Sequence, residues 1–402
     1  MSTLSEKILK GDAGSFVDVA VDRALAHDGT GVQALMAFRE MGIGIVSRPD
    51  RISIVYDHIV PANNSTTADL QAELRRFALD SGIDLHDIGE GICHQVMSEG
   101  IVTPGEIVVG ADSHTCTMGA FGAFATGVGA SDMASIWATG DTWFKIPETI
   151  NIRLEGELPR YVEAKDAALR YVGLLGAGGA TYKAIEFTGD NDLGMDDRLT
   201  ISNMSVESGA KAGLFYADDV TCRYLRNHGR NATPQKREDC DYVREEIIQL
   251  DDMEPLLAVP HRVDDVRPVS DFEGTPLDQV FVGTCTNGRY GDLKRFADIV
   301  RGKKVKVRTI VVPASRAVLL RAVDTGILRD IIESGAVIGN PGCGPCLGAH
   351  QGVLGEGETG LSTANRNFKN RMGVGAKYFL SSPTTAAFSA LKGEIALPGD
   401  LQ

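Results

Sequence analysis

Residues 278–300, DQVFVGTCTNGRYGDLKRFADIV, contain a short apolar run, a polar loop and a helical repeat in succession. The run QVFV has the length and composition of a buried strand. After the loop, apolar residues recur at helical spacing, at Leu293, Phe296, Ala297 and Val300. The loop between them holds Cys285. A strand, a polar loop and a helix in this order indicate the α/β fold class, in which the loop after a strand carries functional residues.

Three further apolar runs, over 52–56, 106–110 and 335–339, also end in polar loops. The residue types in these loops that support chemistry are Asp57, His58, Asp112, Ser113, His114, Cys343 and Cys346. After the first loop we expect a helix that opens with Thr66 and Asp69 as a capping box and ends at Gly82. Because ligands bind outside the carboxyl ends of strands in α/β sheets, we expect the four loops to form one site.

Length and charge limit the classes of function. A chain of 402 residues is too long for one compact core and predicts two or three domains. We place two closely associated α/β domains in residues 1–275 and a third α/β domain, with the candidate metal-binding cysteines, in 276–402.

The formal net charge of −14 disfavours nucleic acids and anionic membranes as partners. The N-terminal region lacks the apolar core of a secretory signal, so we expect a cytoplasmic protein.

The seven cysteines predict metal or redox chemistry rather than a disulfide framework. Cys343 and Cys346 form a CxxC pair, and with Cys285 they would hold a [4Fe-4S] cluster that leaves one iron open. Zinc held by these cysteines and His350, a thioredoxin-like dithiol, and inert buried thiols are the alternatives. We interpret the other four as packing residues: Cys93, Cys116, Cys222 and Cys240.

Histidines and carboxylates occur in the same polar segments, and a carboxylate beside an imidazole orients it and raises its pKa. The candidates are Asp57 with His58, His94, Asp112 with His114, and Glu207. Arg366 and Arg371 lie five positions apart in a predicted loop, and their guanidinium groups suit the binding of a carboxylate.

The candidate site residues, apart from Arg371, lie in eight motifs that together resemble the aconitase superfamily, and within it the large subunits of two-chain 3-isopropylmalate dehydratases and homoaconitases. The motifs, in chain order, are HDGT, DHIVP, GICHQVMSEG, GADSHTCTMGAFGAFATG, TISNMSVESGAKAG, GTCTNGR, GNPGCGPCLGAH and STANRNF. The resemblance implies a three-domain α/β/α architecture. It also implies a hydro-lyase that isomerises 2-isopropylmalate by dehydration and rehydration, with homocitrate or a methylated malate as the alternative substrate.

The resemblance also implies a role for each site residue. Cys285, Cys343 and Cys346 match the three ligands of one [4Fe-4S] cluster with an open iron. Asp57 and His58 match the pair that protonates the departing hydroxyl. The other matches are His94 with Asp112 and His114 with Glu207 as catalytic pairs, and His27, Ser113, Asn203, Arg366 and Arg371 as substrate-binding residues.

Two positions differ between branches of the family or from its usual pattern. His27 stands where single-chain aconitases have glutamine, which favours the isopropylmalate branch. Asn370 replaces the glycine expected before Arg371.

The sequence also lacks the C-terminal swivel domain of single-chain members. We therefore expect a separate small subunit, in a heterodimer or heterotetramer, that supplies the serine base. The rival from another class is a cluster-bearing RNA-binding protein, which the net charge disfavours.

Overall fold

The computed structural model describes residues 2–399 and contains three sheets and a two-stranded ribbon. The first sheet is parallel throughout, with strands in the spatial order β4 (Asp84–His86), β3 (Ile52–Val55), β2 (Arg23–His27), β5 (Ile107–Gly110) and β6 (Phe124–Gly127). The antiparallel ribbon joins β1 (Phe16–Ala20) to β7 (Asp141–Lys145).

The second and third sheets follow along the chain. The parallel second sheet has the order β10 (Ala212–Phe215), β9 (Ala184–Thr188), β8 (Thr149–Glu155) and β11 (Arg244–Gln249). The third has the order β13 (Val266–Pro268), β12 (Leu256–Ala258), β18 (Lys377–Leu380), β17 (Thr359–Ser362), β14 (Gln279–Val282), β15 (Arg308–Val311) and β16 (Val337–Ile338). Among the described strands of this sheet, β12 pairs antiparallel with β13 and with β18, and the other pairings are parallel.

Helices lie between most of the parallel strands along the chain, because parallel strands need a long crossover connection. They are α1 (Leu4–Leu9), α2 (Thr30–Glu40), α3 (Ser65–Ser81), α4 (Cys93–Ser98), α5 (Ala130–Thr139), α6 (Ala164–Leu175), α7 (Met195–Met204), α8 (Asp219–Asn227), α9 (Tyr290–Val300), α10 (Arg316–Asp324), α11 (Ile327–Glu333) and α12 (Pro383–Lys392). Short 3₁₀ helices cover Pro49–Arg51, Ser113–Phe121, Ser205–Ser208, Val269–Phe272 and Gly344–Leu347. In residues 2–399 no helix is both long and apolar enough to cross a membrane.

The α/β fold class predicted from the sequence is confirmed, and so is the helix after the Cys285 loop. Helix α9 buries the four apolar residues that its spacing singled out. The predicted start of α3 was wrong: Asn64, not Thr66, caps the helix by accepting a hydrogen bond from the Thr67 amide. The helix ends as expected at Gly82, where φ of 71° gives the left-handed turn that glycine adopts freely.

The sheets share apolar cores, which hold them together. Ile152 and Phe187 of the second sheet belong to the same buried cluster as Phe281 and Tyr378 of the third. The third sheet takes β12 and β13 from before residue 276, where the sequence analysis places the start of the third domain.

A buried acid lies between elements of the second and third sheets. Glu163 precedes α6, and its Oε1 accepts a hydrogen bond from the Thr384 amide at 2.7 Å. Its Oε2 lies 3.3 Å from Nη1 of Arg295 on α9. Burial outweighs the nearby arginine and raises the pKa of Glu163 from 4.5 to about 7.

We predict that Glu163→Gln changes how stability depends on pH. Because the folded pKa is raised, the stability that protonated Glu163 contributes is complete below pH 4.5 and is lost as pH rises through about 7. The unfolding free energy of the variant minus that of the wild type should therefore rise by about 2–3 kcal/mol from about pH 5 to about pH 8. Urea denaturation at both pH values measures this gain. Replacing the exposed Glu356 by Gln is the control, and an equal change in that control would contradict the prediction.

Candidate active site

The polar loops after strands of the first and third sheets converge on one cavity of about 630 Å³, here called the central cavity. Loops after β2, β3 and β5 contribute from the first sheet, and loops after β14, β16 and β17 from the third. The predicted site residues that line it are His27, His58, His94, Asp112, Ser113, His114, Cys285, Cys343, Cys346, Arg366 and Arg371.

Three predicted site residues lie outside this lining but contact residues within it. Asp57 is fully buried and hydrogen-bonds to His58. Glu207 hydrogen-bonds to His114, and Asn203 accepts a hydrogen bond from the lining residue Asn365. The fold therefore brings all the predicted residues into one site, with these three in supporting positions.

Asp57 and His58 form a tight pair at the end of β3. Nδ1 of His58 lies 2.6 Å from Oδ1 of Asp57, while the other carboxylate oxygen accepts the Cys93 amide at 2.7 Å. Burial alone would raise the pKa of Asp57, but the neighbouring His58 holds it below its ordinary value. Asp57 is therefore an anion that fixes the direction of the His58 ring.

Asp112 is surrounded by four imidazoles. Its Oδ2 lies 3.6 Å from Nε2 of His27 and 3.5 Å from Nε2 of His58. Its Oδ1 lies 3.3 Å from Nε2 of His94 and 3.7 Å from Nδ1 of His114. Burial raises the pKa of Asp112, but these imidazoles outweigh burial and hold it well below its usual range.

The imidazoles differ in charge because their surroundings differ. Burial lowers the pKa of His58, but the Asp57 carboxylate and its other neighbours raise it well above the ordinary value. Burial lowers the pKa of His94 to about 4. Burial and the charge of His58 lower the pKa of His27, which stacks on His58 with ring centroids 3.6 Å apart. At neutral pH His58 is thus the proton donor of this group, and His27 and His94 are neutral.

A second series of contacts links His114 to Arg366 through Glu207. Oε1 of Glu207 lies 2.9 Å from Nε2 of His114 and accepts a hydrogen bond from Nε of Arg366 at 2.8 Å. Although burial raises the pKa of Glu207, His114 and Arg366 lower it overall, so Glu207 is ionised. Glu207 therefore orients both the imidazole and the guanidinium.

Three lining side chains keep unused hydrogen-bonding capacity. Among the described residues, the buried Oγ1 of Thr30 and Nε of Arg371 have no hydrogen-bond partner. Nε2 of His94 also has none, because its 3.3 Å approach to Asp112 lacks hydrogen-bond geometry. Buried polar atoms are nearly always satisfied, and a polar ligand in the cavity would complete the hydrogen bonding of these three.

The three cysteines lie at the same cavity, and an asparagine lies between two of them. Cys285, Cys343 and Cys346 are each 7% exposed. Nδ2 of Asn365 donates to Sγ of Cys285 at 3.3 Å, and its Oδ1 lies 3.8 Å from Sγ of Cys346.

A family model described as the aconitase family (aconitate hydratase) matches residues 4–393. The chain belongs to the aconitase family. It is 52% identical over 386 residues to a probable methanogen homoaconitase large subunit of Methanosarcina mazei, covering 94% of this chain and 98% of that protein. It is 45% identical over 416 residues to a probable 3-isopropylmalate dehydratase large subunit of Methanothermobacter thermautotrophicus, covering 100% and 99%.

Further relatives agree with this assignment. A 3-isopropylmalate dehydratase large subunit of Archaeoglobus fulgidus is 46% identical over 410 residues, with 98% of each chain covered. Among solved structures, holo aconitase X of Thermococcus kodakaraensis matches with a TM-score of 0.55 at 14% identity, covering 87% of this chain and 84% of that one. The structural match supports the aconitase-like α/β fold, and the family implies an iron–sulfur cluster.

The cysteines suit a cluster better than a single metal ion. Thiolates on one tetrahedral zinc lie about 3.8 Å apart. The sulfurs of Cys285, Cys343 and Cys346 do not all lie within 4.8 Å of one another, so one ion would not reach all three. The zinc alternative also needs His350, which does not line the central cavity with the three cysteines.

The dithiol alternative requires a lowered thiol pKa in the CxxC pair, which the structure does not provide at Cys343. Burial raises the pKa of Cys343 well above its ordinary value. Reactive dithiols have a lowered thiol pKa instead. Such buried thiols lose their protons when a metal binds them, as aconitase-family ligation requires.

The departure at Asn370 has a conformational explanation. Asn370 has φ of 67°, the left-handed region that glycine adopts freely and that asparagine tolerates better than most residues. Its Oδ1 accepts a hydrogen bond from the Gly375 amide at 3.0 Å, which stabilises the turn. The residue before Arg371 thus takes a backbone conformation that a glycine would also take.

Sequence reasoning missed several supporting residues. Asp28 accepts hydrogen bonds from the amides of Asp57, His58 and Ile59, and so shapes the loop after β3. The sequence could have indicated Asp28, because it directly follows the apolar run of a strand. Asn365 could have been found in the same way, because it lies in the loop after β17. Cys93, interpreted as a packing residue, is buried with its sulfur 3.4 Å from Nδ1 of His94.

We predict that the chain, purified without oxygen, contains about four iron and four sulfide per polypeptide. Cys285→Ser should lose most of both, because it removes one of only three ligands. Metal analysis and acid-labile sulfide determination provide the measurement. Cys222→Ser, at a buried cysteine on α8, is the matched control and should keep the wild-type content.

Zinc in place of iron, or unchanged iron in Cys285→Ser, would contradict this assignment of the ligand.

Proposed function

We propose that this protein is the catalytic large subunit of a 3-isopropylmalate dehydratase. It would interconvert 2-isopropylmalate and 3-isopropylmalate through dehydration and rehydration. The observation that carries the proposal is the central cavity, which combines a proton donor, two arginines and three cysteines. Relatives at 45% and 46% identity over nearly their whole length bear this name.

The cysteines would hold one [4Fe-4S] cluster by three ligands, Cys285, Cys343 and Cys346, with one iron open. When bound, the cluster supplies a Lewis acid to the hydroxyl and a carboxylate of the substrate. Asn365 would support the cluster by its contacts with the sulfurs of Cys285 and Cys346.

His58 would protonate the hydroxyl that leaves. Its Nδ1 is engaged by Asp57, so the proton available to the cavity is the one on Nε2. The raised pKa of His58, due to Asp57 and its other neighbours, keeps this proton in place at neutral pH. Asp112 faces the same nitrogen and would stabilise the imidazolium before transfer.

The arginines would bind the carboxylates of the substrate. Arg366 is oriented by Glu207, and Nε of Arg371 is buried without a partner among the described residues. A guanidinium binds a carboxylate through paired hydrogen bonds, which would satisfy that nitrogen. Ser113 and His27 would bind other polar groups of the substrate from the cavity wall, with Asn203 acting through Asn365.

The relatives are named as large subunits, which implies a small-subunit partner. In this proposal the partner supplies the serine that removes the proton alpha to a carboxylate. The base and the acid then come from two chains, and the reaction requires both. We propose a heterodimer or heterotetramer.

A homoaconitase is the second candidate, because a relative at 52% identity bears that name. Its substrates are also 2-hydroxy acids that lose and regain water, so the same residues would serve both reactions. The two candidates differ in the group that the substrate carries beyond the reacting carbons.

We predict that the chain, combined with the small subunit of its own organism, acts on 2-isopropylmalate with a higher kcat/KM than on homocitrate. The absorbance of the unsaturated intermediate measures both reactions. A higher kcat/KM for homocitrate would favour the second candidate. No dehydration of any 2-hydroxy acid by the iron-loaded complex would overturn both.

We predict that His58→Asn lowers kcat by about 100- to 10,000-fold, because it removes the general acid. His86→Asn is the matched control, since His86 lies outside the central cavity and pairs with Asp84 and Glu90. Iron content is compared in both variants. A loss below tenfold in His58→Asn at wild-type iron content would remove His58 from this role.

A further inference from the structure

Lys165 is a buried lysine that the proposed reaction does not use. Its side chain is 0% exposed, and it is the second residue of α6. Nζ donates hydrogen bonds to the carbonyl oxygens of Thr363 at 2.9 Å and Ala364 at 2.6 Å. In the described part of the chain its ammonium forms no ion pair with a carboxylate.

Three features make this position costly for a cation. Lysine is almost never fully buried unless it is paired. The N-terminus of a helix carries a partial positive charge, so a cation in the first turn of α6 is unfavourable. The adjacent carboxylate of Asp166 is engaged elsewhere, accepting the amides of Glu163 and Leu256. Burial lowers the pKa of Lys165 to about 8.

The contacts of Lys165 lead directly to the cysteines. Thr363 and Ala364 immediately precede Asn365, whose side chain contacts the sulfurs of Cys285 and Cys346. The Thr363 carbonyl also accepts the hydroxyl of Thr286, the residue after Cys285. Lys165 therefore holds the backbone at the point where the β14 and β17 loops meet.

Metal binding would also change the charge near Lys165. Its two carbonyl partners adjoin Asn365, whose side chain contacts the sulfurs of Cys285 and Cys346. Cysteine binds metal as the thiolate, so loading the site brings negative charge close to this lysine.

We propose that Lys165 is a positioning residue of the cluster site and its counter-charge. Its ammonium holds the backbone before Asn365 and offsets the negative charge of the thiolates in the loaded protein. This inference rests on the cluster of the proposed function. It concerns retention of the cluster and its reduction potential rather than the choice of substrate.

The test compares Lys165→Met with the wild type as full chains loaded with iron and sulfide. We expect the variant to lose iron to a chelator about tenfold faster or more, the range seen when supporting residues of metal sites are removed. We also expect a more negative reduction potential, because removing a positive charge disfavours the reduced cluster. Titration followed by electron paramagnetic resonance measures the potential.

Two further variants separate charge from structure. Lys165→Arg keeps the charge and should keep a potential closer to that of the wild type. Lys211→Met removes a half-buried lysine elsewhere and should leave both readouts unchanged. If Lys165→Met does not fold, Lys165→Gln, which keeps a donor but not the charge, is measured in its place. An unchanged potential in a folded, uncharged variant overturns the proposal.

The outcomes also distinguish this proposal from the proposed function. If the wild type takes up no cluster, both fall. If the wild type binds the cluster and Lys165→Met behaves as expected while no 2-hydroxy acid is dehydrated, the inference about Lys165 stands and the proposed reaction falls.

Discussion

The site depends above all on one buried carboxylate, that of Asp57. Its Oδ1 holds Nδ1 of His58, its Oδ2 accepts the Cys93 amide, and its backbone carbonyl accepts the Cys343 amide at 2.8 Å. A buried anion must be paired and hydrogen-bonded, so these contacts are obligatory. They tie the end of β3 in the first sheet to the cysteine loop of the third sheet. Asp57 thereby sets the position of the acid relative to the metal ligands.

Around Asp57, the site contains both negatively and positively charged groups next to one another. Asp112 and Glu207 are ionised because imidazoles and Arg366 outweigh the effect of burial on each pKa. Only one imidazole of the three with a shifted pKa, that of His58, is held protonated, while burial keeps His27 and His94 neutral. Neighbouring groups with pKa values pushed apart are the arrangement that acid–base chemistry needs. Lys165 continues this pattern, because its positive charge lies near the cysteines that would bind the cluster as thiolates.

Local patterns predicted much of this architecture. Apolar runs followed by Asp57, Asp112, Cys285 and Cys343 predicted strands whose carboxyl-terminal loops carry the reactive residues. These loops belong to two different sheets, so only the packing of the sheets brings them to one cavity. The spacing of Leu293 to Val300 predicted α9 and its buried face. The start of α3 was predicted wrongly, since both Asn64 and Thr66 are suitable caps and only the path of the chain decides between them. The residue roles taken from the family resemblance stay predictions.

The sequence by itself determined the fold class, the strand-end positions of the reactive residues and the aconitase-family motifs that contain them. These follow from periodicity and residue type, which are local properties. Only the tertiary structure decided which carboxylate faces which imidazole, and that Asp28, Asn365 and Lys165 support the site. Those contacts join residues far apart in the chain, such as Lys165 and Thr363. Their strength depends on burial, because a charge removed from water interacts strongly with whatever the fold places beside it.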